Sequence, residues 1–179
     1  LAANGTVLYM MNHSLVKLAL FLFAGVVYYN THALDLNDIK GFGRGKPLLH
    51  VLFLCGACSL AGIPGFLGYL SKTLVHEALV EYAHMSGMTI ITVVEWLFLF
   101  SGGLTAAYLT KIYVAIFWQK GKETGKQWGK PLSVIALCLA AVALPVLGLT
   151  PHAIAERISG ATLDFTGGHA FDHAIHYFA

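Results

Sequence analysis

The chain has 179 residues, 57% of them hydrophobic and 11% charged, with a formal net charge of +2. Soluble domains carry about 25% charged residues, so this composition belongs to the membrane class. The lysines and arginines sit at loop positions and form no stripe, so no nucleic-acid partner is expected.

The chain opens on Leu1 with no basic leader region, so no signal peptide is expected, and both ends are expected to continue in a longer polypeptide. A first span is predicted over residues 6–29. It is apolar apart from Asn12, His13, Ser14 and Lys17, with Tyr28 and Tyr29 as interfacial aromatics at its end. Residues 30–47 form a polar connection carrying Asp35, Asp38, Lys40, Arg44 and Lys46, closed by Pro47. A second run extends over 48–82 and is interrupted by Gly62, Pro64 and Gly65. A third, over 91–118, holds Glu95 near its start and Lys111 near its end. Residues 119–130 set four lysines against the single acid Glu123, and a fourth span covers 132–149 with Pro145 near its far end. Residues 150–179 read as an interfacial or extramembrane tail, amphipathic or irregular.

The second run is too long for one straight helix. At about 1.5 Å per residue it would far exceed a hydrocarbon core about 30 Å thick. Proline lacks a backbone N–H and clashes with the preceding turn, so the helix is expected to break at Gly62–Gly65. The break is either a hairpin between two spans or the unwound centre of one. The 30–47 and 119–130 connections are both basic, whereas 83–90 contains neither lysine nor arginine. Both basic loops then share the cytoplasmic side, which needs an even number of crossings between them. One broken span satisfies this and a hairpin does not. The expected fold is therefore an all-α, polytopic transmembrane bundle of about four spans, one of them broken, over residues 1–149.

Several polar groups lie within these spans. His13 and Lys17 are spaced i, i+4 and share a helix face that Tyr9 extends by one turn. Both side chains can exchange a proton, and Lys17 is too far from either helix end to reach water comfortably. Lys72 follows Pro64 by about two turns, where carbonyls freed by the break lie near it. The alternative for each lysine is a buried stem with its head at an interface. His76 and Glu77, one turn further along, are candidates for a proton exit beyond Lys72, weighed against a place at the outer interface. Lys111 and Glu95 are weighed as relay members against positions near the membrane surfaces. Cys55, Cys58 and Cys138 read as packing thiols, because the C-x-x-C pair has no second pair to complete a metal site. His169, His173 and His176 have helical ligand spacing, but Gly167 and Gly168 beside them argue against a rigid site, and no metal is expected.

Four segments together resemble a known family. Met11–Gly25 is similar to its "H-x-x-x-K-x-x-x-F-L-x-x-G" span. Asp35–Gly43 resembles the linker that leads into its "G-G-L/F" turn, here reading Gly-Phe-Gly. Leu60–Lys72 resembles its "L-A-G-x-P-x-x-x-G-F-x-S-K" broken helix, and Leu104–Phe117 the span that follows, with Lys111 at its basic position. The family is that of the antiporter-like membrane subunits of respiratory complex I, with the Mrp-type sodium/proton antiporters and the energy-converting hydrogenases as relatives. The resemblance covers roughly residues 5–120. It implies inverted repeats that each hold one broken helix, with this chain supplying the later part of the second.

By the same resemblance, Lys17 is a relay lysine, His13 its neighbour in the relay, and Lys72 the broken-helix lysine of the exit half. The expected function is part of a proton-translocating subunit of an NADH:quinone oxidoreductase-like assembly, an integral protein of a bacterial or archaeal inner membrane with other membrane subunits as partners. No redox chemistry and no cofactor are expected in this chain. The alternatives are an Mrp-type Na+/H+ antiporter subunit, a hydrogenase membrane subunit, or a passive anchor. Sodium would prefer carboxylate and carbonyl oxygens, so protons are favoured. A passive anchor gains nothing from lysines at depth.

Overall fold

The computed structural model describes residues 2–121 and 131–150, which form five α-helices and, among the described residues, no strand. They are α1 (Ala2–Thr31), α2 (Pro47–Ala61), α3 (Leu67–Ser86), α4 (Thr89–Tyr113) and α5 (Pro131–Leu149), with a π-helical turn, Val114–Trp118, closing α4. Three segments are long and apolar enough to cross a membrane: α1, α4 together with its π turn, and α5. At 15 residues α2 is too short to do so alone. The 122–130 connection and the tail with His169, His173 and His176 lie outside the described residues.

Helix α1 is the central post and packs against α2, α3 and α5. Phe23 meets Phe53, with ring centroids 5.1 Å apart, and Gly56 lies against Leu20. Further along, Asn12 bonds to Ser59, and Gly5 lies against Leu74. Residue numbers fall along α1 as they rise through α2 and then α3. The two helices therefore follow one another antiparallel to α1, and the chain does not reverse at Pro64. This is the broken-helix arrangement expected from the loop charges.

The core divides along the post. Near the 32–46 linker, Phe23, Val26, Leu49, Phe53 and Phe117 pack together. At the opposite end Leu8, Leu67, Leu70 and Leu74 do so, while Val16 and Ala19 meet Ala140 and Leu144 of α5. Pro145 sits inside α5 without ending it. Helix α4 is held far less: in α4 only Leu109 is buried, with contacts to α2 and α3.

The linker folds onto the end of α4. A π turn offsets its carbonyls from the usual ladder, and Gly41 and Gly43 donate backbone N–H bonds to the carbonyls of Ala115 and Ile116, both at 3.0 Å. Gly41 also lies against Gln119 and Gly121. The linker and the start of the second basic connection thus meet at one end of the bundle. Lys46, at the last linker position, is only 4% exposed. Its ammonium lies 3.6 Å from the centre of the Phe42 ring and has no hydrogen-bond partner among the described residues. Burial lowers its pKa from the ordinary lysine value.

Candidate functional site

The site is built on the break between α2 and α3. A helix leaves its last carbonyls without internal partners. Here Gly62 adopts φ +85°, the left-handed conformation that glycine tolerates best, and caps α2. Its N–H bonds to Cys58 and Ser59 carbonyls at 3.0 and 3.2 Å, and Ile63 N–H bonds to Cys58 at 2.9 Å. That leaves the carbonyls of Leu60 and Ala61. Lys72 Nζ donates to both, at 2.8 and 3.1 Å. The ammonium therefore sits at the negative end of the α2 dipole, where a cation is stabilised.

This geometry requires α3 to begin beside the end of α2. Gly68 makes it possible: a Cβ there would run into the Ser59 carbonyl and stand 3.1 Å from Asn12 Nδ2. The same junction is pinned by a buried bond in which Ser59 Oγ donates to Asn12 Oδ1 at 2.7 Å. A second buried hydroxyl, Ser71, donates to the Gly68 carbonyl at 3.1 Å. The freed carbonyls are thus held by Lys72, while the buried Ser59–Asn12 and Ser71–Gly68 bonds fix the junction around them.

Lys72 also forms part of the wall of a half-open cavity of about 420 Å³ bordered by α1, the end of α2, α3 and α4. Tyr69, Lys72, Thr73 and His76 face it from one stripe of α3, with Tyr9 opposite on α1 and Ser101 and Thr105 on α4. At the same wall His76 Nε2 lies 3.1 Å from Glu95 Oε1 of α4. The Tyr9 ring stacks on that of His13, centroids 6.1 Å apart and planes 13° from parallel. His13 Nδ1 is buried with no hydrogen-bond partner among the described residues. A polar series therefore leads from His13 through Tyr9 to the cavity, Lys72 and the His76–Glu95 pair.

The sequence candidates divide accordingly. Lys72, His76 and Glu95 come together with the break at Gly62, Pro64 and Gly65. Lys17 does not join them: it lies exposed on α1, away from the cavity wall. Lys111 is exposed near the linker end of α4. Among the described residues no cluster of His, Cys, Asp and Glu could hold a metal ion, and the three cysteines are free thiols.

Sequence reasoning missed two features. One is the Asn12–Ser59 bond, whose signal in the sequence is an amide within an apolar span, with nothing to name its partner. The other is His50, whose Nδ1 lies 3.2 Å from Tyr113 Oη and whose ring rests 4.0 Å from the Phe117 centroid. His50 lies one turn into a long apolar run, with no polar neighbour in sequence to mark it.

Three comparisons bear on this arrangement. The profile of a family described as "NADH:quinone oxidoreductase/Mrp antiporter, TM" matches residues 1–98. The chain is 35% identical to a Na(+)/H(+) antiporter subunit of Alkalihalophilus pseudofirmus, an alignment covering 91% of this chain and 34% of that protein. It is 31% identical to an NAD(P)H-quinone oxidoreductase chain 4 of Picosynechococcus over 84% of this chain and 29% of the relative. Its fold is similar to a chain in the structure of respiratory complex I from Thermus thermophilus with bound aureothin. There the TM-score is 0.64 at 26% identity, covering 86% of this chain and 34% of the other. The chain thus spans about a third of the length of these relatives.

Proposed function

The chain belongs to the NADH:quinone oxidoreductase/Mrp antiporter transmembrane family, and from that premise we propose that it forms part of a proton-translocating membrane subunit, with Lys72 as the titrating group at its broken helix. The observation that carries this reading is the position of Lys72. Its ammonium closes the C-terminus of α2 and at the same time fronts a cavity walled by polar groups from three helices.

A lysine so placed couples proton movement to backbone structure. Protonated, it donates to the Leu60 and Ala61 carbonyls and holds α3 against α2. When it gives up a proton to the cavity, the amine keeps fewer donors and no charge, and its hold on the α2 dipole weakens. Reprotonation restores both bonds. In this reading His13 and Tyr9 return that proton, and Lys17, exposed on α1, belongs to the stage before them. The relatives are about three times as long as this chain, and the partner of Lys17 is sought in the full-length protein.

The relatives' names divide between Na(+)/H(+) antiporter and NAD(P)H-quinone oxidoreductase. Protons are favoured over sodium as the ion handled at this site. Among the described residues no carboxylate lines the cavity, and Glu95 meets it only through His76, whereas sodium sites are built from several oxygens. The assembly would be integral to an inner membrane, surrounded by other membrane subunits, with the linker end of the bundle facing the cytoplasm.

The test uses the full-length protein in its native complex, reconstituted in vesicles, with proton translocation measured per turnover. Lys72→Met and Lys17→Met are expected to assemble and to translocate poorly. Lys17→Arg is expected to fail as well, because guanidinium stays protonated and cannot relay. Normal translocation by Lys72→Met and Lys17→Arg together would refute the proposal.

A further inference from the structure

We propose that His76 and Glu95 form the outlet of the Lys72 cavity: the imidazole takes the proton that Lys72 releases, and the carboxylate orients the ring and passes the proton outward. The inference rests on the reading of Lys72 given above and adds the direction of release.

His76 stands one helical turn beyond Lys72 on the same stripe of α3, so both side chains front the same cavity. Its far nitrogen is fixed, since Nε2 lies 3.1 Å from Glu95 Oε1 across the gap to α4. With the proton on Nε2 donated to the carboxylate, Nδ1 carries the free lone pair of a side chain that lines the cavity. The step balances without any other reactant. An N–H bond of the Lys72 ammonium breaks and an N–H bond forms at His76 Nδ1, through water in the cavity. The Nε2 proton then moves to Glu95 and on to solvent, leaving a neutral ring of the other tautomer that must return to the first before the next cycle.

Burial fits this order. The His76 and Glu95 side chains are 36% and 21% exposed, so the pair joins the cavity to its surroundings instead of closing a dry core. The titratable groups lining the cavity are Tyr9 on α1 and Tyr69, Lys72 and His76 on α3, and the end of α2 contributes only Leu60, Ala61 and Gly62; Glu95 of α4 meets this set through His76.

The competing account is a simple staple between α3 and α4. His76→Gln separates the two, because a carboxamide N–H still donates to Glu95 but carries no titrating lone pair. The experiment measures translocation against pH for the full-length protein in its native complex, with wild type, His76→Gln, Glu95→Gln and Lys72→Met compared. General acid–base groups typically contribute about 10²–10⁴-fold. A loss of at least about tenfold is expected for His76→Gln, with the pH profile flattened through the range where imidazoles titrate. Glu95→Gln is expected to lose rate as well, because a carboxamide neither takes the Nε2 proton nor passes it outward. Wild-type rate and profile in His76→Gln would overturn the outlet, and so would a wild-type rate in Glu95→Gln. If Lys72→Met is inactive in the same series, the Lys72 reading survives such a result. If Lys72→Met is fully active, that reading itself has failed.

Discussion

Replacing Lys72 with methionine preserves side-chain length and removes the donor that closes α2. Two carbonyls, those of Leu60 and Ala61, then lose their bonds of 2.8 and 3.1 Å. An unsatisfied, partly buried acceptor costs about 1–3 kcal/mol. Removing a cation from a helix C-terminus costs about 0.3–1 kcal/mol more, rising to ~2 in partly buried geometry. Water from the adjacent cavity recovers part of both, so a net cost of about 1.5–3 kcal/mol is expected, localised at the break. Each 1.4 kcal/mol is about a factor of ten in an opening equilibrium. Amide exchange at Gly62 and Ile63, whose N–H groups cap α2, should therefore accelerate roughly ten- to hundredfold. Hydrogen-exchange mass spectrometry of the purified complex, read on peptides spanning residues 58–70, measures this directly. Residues 19–27 of α1, packed in the linker-end core, should exchange as in wild type. Unchanged exchange at Gly62 and Ile63 would refute the assignment of Lys72 as the cap, and acceleration spread equally over α1 would refute its localisation.

The other predictions concern the scaffold and its orientation. Gly68→Ala drives a Cβ into the Ser59 carbonyl, a rigid backbone atom; a loss of about 1–3 kcal/mol is expected from overpacking, and an unchanged melting temperature would contradict the close α2–α3 junction. Lys46 has its pKa lowered from 10.5 by burial. The unfolded chain therefore binds more protons there than the folded one, and stability should rise with pH between the lowered value and 10.5. Lys46→Met should flatten that rise in a series of thermal melts, and an identical pH dependence would remove the buried ammonium as its source. For orientation, Asn37→Cys and Met88→Cys in a background lacking the native cysteines should label from opposite faces of the membrane. Labelling of both from one face would break the crossing parity.

The helical order was legible because composition and run length dominate it. Pro64 and its flanking glycines announced an interruption, and the absence of lysine and arginine from 83–90 decided between a hairpin and a broken span. The axial succession of Ser59 and Leu74 along α1 agrees with that choice. The end of α4 was less legible: nothing in Val114–Trp118 spells a π turn, which is completed by N–H groups of Gly41 and Gly43 more than seventy residues earlier. The polar junction was read in part. Lys72 was found from its spacing to the break, yet the carbonyls it holds depend on α3 starting beside α2, and Gly68 became meaningful only in three dimensions. Lys17 shows the opposite case. Its spacing to His13 is plain, but its exposure depends on what covers that face of α1, which none of the described helices does.

The central claim is that Lys72 titrates during turnover and does more than cap a helix. Lys72→Arg isolates that difference, because a guanidinium keeps the positive charge and donors for the Leu60 and Ala61 carbonyls but stays protonated. The decisive measurement is proton translocation per turnover by Lys72→Arg, in the full-length protein reconstituted with its complex. Exchange at Gly62 and Ile63 is followed alongside to verify that the cap persists. The account predicts protected amides with translocation lost. Protected amides with wild-type translocation would contradict it and leave Lys72 as a structural cap alone.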